Sequence, residues 1–268
     1  MSKKFNDILS VLDTINKENV VSVYVPSLEK EVNFKGITTG QQKSFLKSAV
    51  DNPVFQTRFI LAAYALIKEN CLEPDVFKVL TANDAAAILV QLRIHVYGTD
   101  YTVTADNQRE YKVSLTDVVD NIKNIKINLT TTLIEEGPFT IRVDLPSFND
   151  QYLLEKQLRE KGLSNEQGFN AGINETIGEA FVGEVSKYIK SIQIKLNSQA
   201  IDVEYDSLTF INKHEVLEKL PSTVVKGIVK YIEELTNLQK KVFTVYGSTA
   251  SGAWRVHVPV DTALFAIE

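Results

Sequence analysis

The sequence predicts an α+β fold of separate helical and strand blocks, and three observations carry that prediction. Apolar residues recur at helical spacing within 4–17, 39–96, 147–186 and 222–241. Between these blocks stand short β-branched or alternating runs bounded by turn residues, the pattern of antiparallel strands rather than of βαβ units. Hydrophobic residues make up 44% and charged residues 24% of the chain, and 12 glycines and 7 prolines in 268 residues are too few for a linker-rich protein, so the whole chain is expected to fold.

Taken in order, Phe5, Ile8, Leu9, Leu12 and Ile15 predict an amphipathic helix over 4–17. It either completes the chain's own core or docks on a neighbour. Val20–Val25 and Glu31–Ile37 read as a hairpin joined by Pro26–Lys30. Helices follow over Gln41–Val50, stopped by Asp51-Asn52-Pro53, and over Val54–Asn70, which is apolar on most of its circumference. Asp75–Leu80 is a short helix, and Thr81-Ala82-Asn83-Asp84 offers capping side chains to Ala85–Val96.

Strands are expected over Asp100–Thr104, Glu110–Leu115, Asn124–Thr132 and Phe139–Leu145. Ser147 caps a helix over Phe148–Lys161 that Gly162 ends, and a second helix spans Asn174–Lys187 after a loop at Ser164–Asn170. Tyr188–Leu196 reads as a strand, Ile201–Leu208 as strand or turn, and Asn212–Leu220 as a helix. The clearest helix is Ser222–Lys241, whose apolar residues recur about every 3.5 positions and predict a buried seam at Val225, Ile228, Ile232 and Leu235. Phe243–Tyr246 and Ala253–Val260 close the chain as strands around a loop at Gly247–Gly252. Two modules are expected: a helical N-terminal module with its β-hairpin at 1–98, and an α+β module with helices and strands at 99–268. An alternative boundary lies near 146.

Composition narrows the function classes. A net charge of −5, with no run of five like charges, argues against nucleic acid as a partner. The single cysteine, Cys71, excludes an internal disulfide and a multi-cysteine zinc site. No signal-peptide apolar core follows Met1–Asp7, and the longest apolar stretch, Phe59–Ile67, is far short of a membrane span. The chain is therefore expected to be made in the cytoplasm, with no membrane partner.

Chemistry is equally sparse. His95, His214 and His257 stand apart, without the spacing of a metal centre. Gly247–Gly252 lacks the Gly-Lys-Ser/Thr ending of a phosphate loop and leads into a strand rather than a helix. Carboxylate pairs such as Glu135-Glu136, Glu233-Glu234 and Asp202/Glu204 fall on turns or solvated faces. No catalytic residue, cofactor, metal or small-molecule substrate is expected. An enzyme with a motif-poor site is the rival class.

Trp254 and Arg255 belong to residue types enriched at protein interfaces. Leu264-Phe265-Ala266-Ile267 is an apolar run that either the chain's own core or another subunit must cover. Trp254, Arg255, Leu264, Phe265 and Ile267 are accordingly the candidate partner interface.

The segment Val23–Ser48, with Pro26-Ser27-Leu28 followed by Glu31-Val32 and then Gln41-Gln42-Lys43, resembles the opening of the baseplate-hub proteins of contractile-tailed, T4-like bacteriophages. Arg255–Phe265 is similar to the closing strand of that family, with its proline, aspartate and aromatic, and Ser222–Lys241 stands where the family has a long helix. The family's closing segment usually shows two successive aromatics, whereas this chain has Leu264-Phe265. The resemblance implies a virion protein of the tail baseplate that binds other baseplate and tail-hub proteins without catalysis. It leaves open whether the chain is a permanent hub subunit or a hub assembly factor.

Overall fold

The computed structural model describes residues 3–50, 55–105, 108–125, 131–163, 181–196, 199–249 and 252–265. Along the chain these form α1 (Lys3–Glu18), β1 (Val20–Val25), β2 (Lys30–Lys35), α2 (Thr39–Val50), α3 (Phe55–Asn70), α4 (Pro74–Val79) and α5 (Ala82–Tyr97). Next come β3 (Asp100–Thr104), β4 (Glu110–Ser114), α6 (Leu115–Asn124), β5 (Thr132–Glu136), β6 (Phe139–Val143), α7 (Phe148–Leu163) and the helical residues 181–186, here α8. The last are β7 (Ile189–Leu196), β8 (Gln199–Val203), α9 (Phe210–Lys219), α10 (Ser222–Val242), β9 (Thr244–Thr249) and β10 (Gly252–His257). Helices mix with strands whose pairings are all antiparallel among the described residues, which is the predicted α+β class.

The chain divides into two compact units, one of residues 1–126 with 240–268 and one of residues 127–239. Residue 98 falls inside the first unit and residue 146 inside the second.

The first unit is organised by α5, where Ala85, Ala87, Ile88, Leu89, Val90 and Leu92 are all buried. Asp84 starts this helix with no exposed surface and accepts four hydrogen bonds. Thr81 donates its backbone N–H (2.7 Å) and its hydroxyl (2.9 Å), closing a capping box. Ser27, in the turn of the β1–β2 hairpin, donates its N–H (2.9 Å) and hydroxyl (2.6 Å) to the same carboxylate. Two turns further along α5, the Gln91 amide bonds both the N–H (2.8 Å) and the carbonyl (2.9 Å) of Tyr24. The β1 edge is thus met by a side chain that substitutes for a strand, while a bridge at Phe34 and Cys71 meets the β2 edge. Gly98 ends α5 at φ +81°, a backbone state that favours glycine.

Two other two-stranded sheets, β3–β4 and β9–β10, belong to this unit. The Asn121 side chain on α6 donates to the carbonyls of Val242 (3.2 Å) and Thr244 (3.1 Å), tying the C-terminal hairpin in place. Leu115, expected to end a strand, instead begins α6. Its signal is present: Ser114 accepts from the Thr116 N–H (3.3 Å), and Leu115, Val118 and Ile122 are buried at helical spacing. Residues 126–130 of the strand expected at Asn124–Thr132 lie outside the described residues, Asn124 closes α6, and β5 begins at Thr132.

The second unit sets a four-stranded sheet, in the order β5-β6-β7-β8, against helices. Ile141, Val143, Ile189 and Ile192 form one side of its core, and Val224, Ile228, Tyr231 and Leu235 of α10 form another. The seam of α10 is therefore turned relative to the predicted one. Ile228 and Leu235 are buried as expected, but Val225 and Ile232 are only partly buried and the unforeseen Tyr231 is buried. A Cβ at Gly227 would come within 2.8 Å of Ile134, so the missing side chain there lets helix and sheet approach. Ser147 caps α7 as predicted, accepting from the Asp150 N–H (3.0 Å), but the helix continues through Gly162 to Leu163. The expected loop at Ser164–Asn170 and residues 174–180 of the next helix lie outside the described residues.

Three phenols of this core are pushed up by burial, Tyr231 to about 12 and Tyr188 and Tyr205 further. Their folded-state values lie above the ordinary value near 10, so the stability they contribute is full below about pH 10 and is lost as pH rises through the folded values. The Tyr205 hydroxyl donates to the Lys213 carbonyl (2.7 Å), whereas the Tyr231 hydroxyl is buried with no hydrogen-bond partner among the described residues. Thermal melts at pH 7 are expected to show Tyr205→Phe lowering stability by about 1 kcal/mol and Tyr231→Phe leaving it unchanged or higher. In titration melts above pH 10, Tyr231→Phe should lose stability less steeply than the wild type.

Candidate protein–protein interface

The residues singled out by the sequence do not converge. In β10, Trp254 pairs with Gly247 of β9 and Arg255 pairs with Tyr246. Successive strand residues face opposite sides, so Trp254 lies on the half-buried face with Val245 and Val256, and Arg255 lies on the exposed face with Tyr246, which is 68% exposed. The indole stacks at a tilt on Tyr111 of β4, with ring centroids 5.0 Å apart. It also covers Gly247 so closely that a Cβ there would sit 2.2 Å from the ring. Gly247, expected in a loop, is therefore a strand residue, and residues 250–251 of that loop lie outside the described residues.

Leu264 and Phe265 are 0% and 1% exposed. They lie within the first unit, where Phe265 meets Phe45 of α2 edge-on at 5.3 Å and its carbonyl accepts from the Gln42 side chain at 2.9 Å. This corrects the expectation that another subunit covers them: the chain's own helices do so. Ile267 lies outside the described residues. Of the five predicted interface residues, Arg255 is exposed and Trp254 is partly buried.

The larger apolar surface is on α1. Every residue from Phe5 to Glu18 is exposed, and Phe5, Ile8, Leu9, Val11, Leu12 and Ile15 are each 43–58% exposed. The root of this helix is fixed. The Asn19 carbonyl accepts from the Gly36 N–H (2.7 Å), the Asn19 side chain bonds His95 Nε2 of α5 (2.8 Å), and a Cβ at Gly36 would collide with Asn19. Of the two uses that the sequence allowed for this helix, completing the chain's own core is not the arrangement found. The spacing of its apolar residues was legible; their exposure was not, because periodicity locates an apolar face without showing what covers it.

Candidate reactive groups are held in structural roles. The Cys71 thiol is pushed up by burial and donates to the Glu73 carbonyl (3.3 Å), which disfavours the thiolate a nucleophile needs. His214 Nδ1 lies 3.4 Å from Glu218 within one helix. Among the described residues no group of three or more His, Cys, Asp or Glu could hold a metal, and no helix is long and apolar enough to cross a membrane.

The described surface thus carries an exposed apolar helix and a strand face with exposed tyrosine and arginine. The T4 bacteriophage base plate protein family matches residues 17–246, most of the chain, and the chain belongs to that family. That membership gives it a structural role in a phage tail baseplate. Comparison with curated proteins and with solved structures gave no match.

The chain has one tryptophan, so its fluorescence reports the β9–β10 hairpin directly. Gly247→Ala forces the indole off its glycine and is expected to cost about 1–3 kcal/mol. The emission of Trp254 should shift to the red while far-ultraviolet circular dichroism holds. An unshifted spectrum with wild-type stability would contradict the packing described.

Proposed function

We propose that this chain is a component of the central hub region of the baseplate and acts by binding other baseplate and tail-hub proteins, without catalysis. The family match over residues 17–246 carries this reading. Two features support it: the exposed apolar face of α1, and the Tyr246–Arg255 pair on the outward side of the C-terminal hairpin. Apolar faces of this extent, and exposed tyrosine and arginine, are the means by which stable protein contacts are built. In this role the chain is made in the host cytoplasm and ends in the virion, and its partners are proteins rather than nucleic acid, membrane or small molecules.

Quantitative mass spectrometry of purified virions, with cross-linking of the intact tail, tests the proposal. The expected result is a fixed copy number per tail and cross-links to hub proteins. Absence from virions, with hub formation still dependent on the chain, would make it the assembly factor instead. Absence from virions with normal hub formation when the chain is deleted would contradict both.

A further inference from the structure

The four-stranded sheet of the second unit ends in an edge that matches itself. β8 is the last strand in the order β5-β6-β7-β8, and Gln199 to Asp202 are all exposed, Ile201 by 53%. Its sequence, Gln-Ala-Ile-Asp-Val, holds neither proline nor lysine, and its ladder with β7 runs without a bulge. These are the devices that commonly close a sheet edge to further pairing. Among the described residues no side chain meets the backbone of β8 as Gln91 meets that of β1.

The phase of the ladder identifies the unpaired backbone groups. In an antiparallel sheet both polar groups of a residue point to one side, and successive residues alternate. The Lys195 N–H donates to the carbonyl of Pro138, just ahead of β6, at 2.9 Å. Ile194 and Leu196 therefore point the other way, to Ile201 and Gln199 of β8, and Ala200 and Asp202 direct their N–H and carbonyl groups off the edge. A second β8, antiparallel about a two-fold axis at Ile201, meets these groups with its own. Ala200 then stands opposite Asp202 of the second copy and Asp202 opposite Ala200, closing four hydrogen bonds. The neighbouring registers of the same phase are poorer: one sets Asp202 against Asp202, like charges directly opposed, and the other sets Ile201 against Gln199.

Side chains fit the same register on both faces. Toward the core, Phe139, Ile194 and Ile201 lie side by side across β6, β7 and β8, and pairing at Ile201 continues this apolar row into the same three residues of the second copy. On the other face Lys195 neighbours Ala200, and Asp202 is held by the Gln193 amide at 2.7 Å. Across the axis that row reads Lys195, Ala200, Asp202, Gln193. The small Ala200 leaves the exposed lysine clear to reach a carboxylate two strand spacings away, about 10 Å between backbones, and the two-fold axis repeats the ion pair.

We infer that β8 is a self-pairing edge: two copies of this chain associate through antiparallel β8 strands about a two-fold axis at Ile201, joining their sheets into one of eight strands. This contact concerns the isolated chain and is independent of the baseplate reading.

Sedimentation velocity of the full chain, over about 1 to 100 µM, tests it together with cysteine cross-linking. The wild type is expected to dimerise within that range. Ala200→Pro removes an N–H that points off the edge, a change edge strands tolerate, and should weaken the dimer at least tenfold with the melting temperature of the dilute monomer unchanged. Lys195→Glu should also weaken it, and adding Asp202→Lys should restore it. In a Cys71→Ser background, Ile201→Cys sits on the axis within disulfide reach of its own copy and should cross-link on mild oxidation, whereas Gln199→Cys, opposite Val203, should not. A chain monomeric throughout, a dimer that survives Ala200→Pro, or equal cross-linking at 199 and 201 would overturn the inference. A dimer lost on Leu12→Asp but kept on Ala200→Pro would place the contact on α1 and overturn it too. If Ala200→Pro lowers the monomer's melting temperature, the charge exchange and the cysteines decide, and failure of either to behave as stated contradicts the pairing.

Discussion

The first unit depends on one carboxylate. Asp84 has no exposed surface, and it joins the start of α5 to the turn of the β1–β2 hairpin through four hydrogen bonds. Each donor it satisfies would otherwise stand unpaired at a cost of about 1–3 kcal/mol where water is excluded. With the hairpin turn fixed there and the β1 edge fixed by Gln91, the position of Asn19 just ahead of β1 follows. Asn19 in turn sets where α1 departs. A helix with an exposed apolar face is thus mounted on a rigid root.

Much of this architecture was legible because its determinants are local. The hairpin at Val20–Lys35, the caps at Thr81 and Ser147 and the long helix after Ser222 each carry a periodic pattern with a boundary residue. The errors arose where a distant partner decides. Gly247 reads as a turn residue in isolation, yet it is a strand residue because Trp254 lies across it. Leu264 and Phe265 look like an uncovered tail, yet Phe265 is bonded to Gln42, 223 residues away in sequence. The side of α10 that faces the sheet includes Tyr231, a residue whose polar tip disguises a mostly apolar body. The loss of α6 was different in kind, since Ser114 and the spacing Leu115, Val118, Ile122 carried the signal locally.

The candidate site was less legible than the fold. Arg255 is exposed and Trp254 partly buried, while Leu264 and Phe265 of the tail assigned with them lie in the interior. The sequence of α1 allows two uses, because amphipathicity is the same whether a face is covered by its own chain or by another. Only the placement of neighbouring elements distinguishes them, and here those elements leave Phe5 to Ile15 exposed.

The proposed role in the baseplate expects the exposed apolar face of α1 to be covered once the baseplate assembles. A 16-residue helix without its apolar face covered is marginal in water, so its backbone amides should exchange readily in the isolated chain. Hydrogen–deuterium exchange of residues 5–15, compared between the isolated protein and the assembled baseplate, measures this directly. The expected result is fast exchange in the free chain and protection greater by at least a hundredfold in the assembly, with β1 and α5 protected in both. Equal exchange of α1 in the two states would contradict the claim.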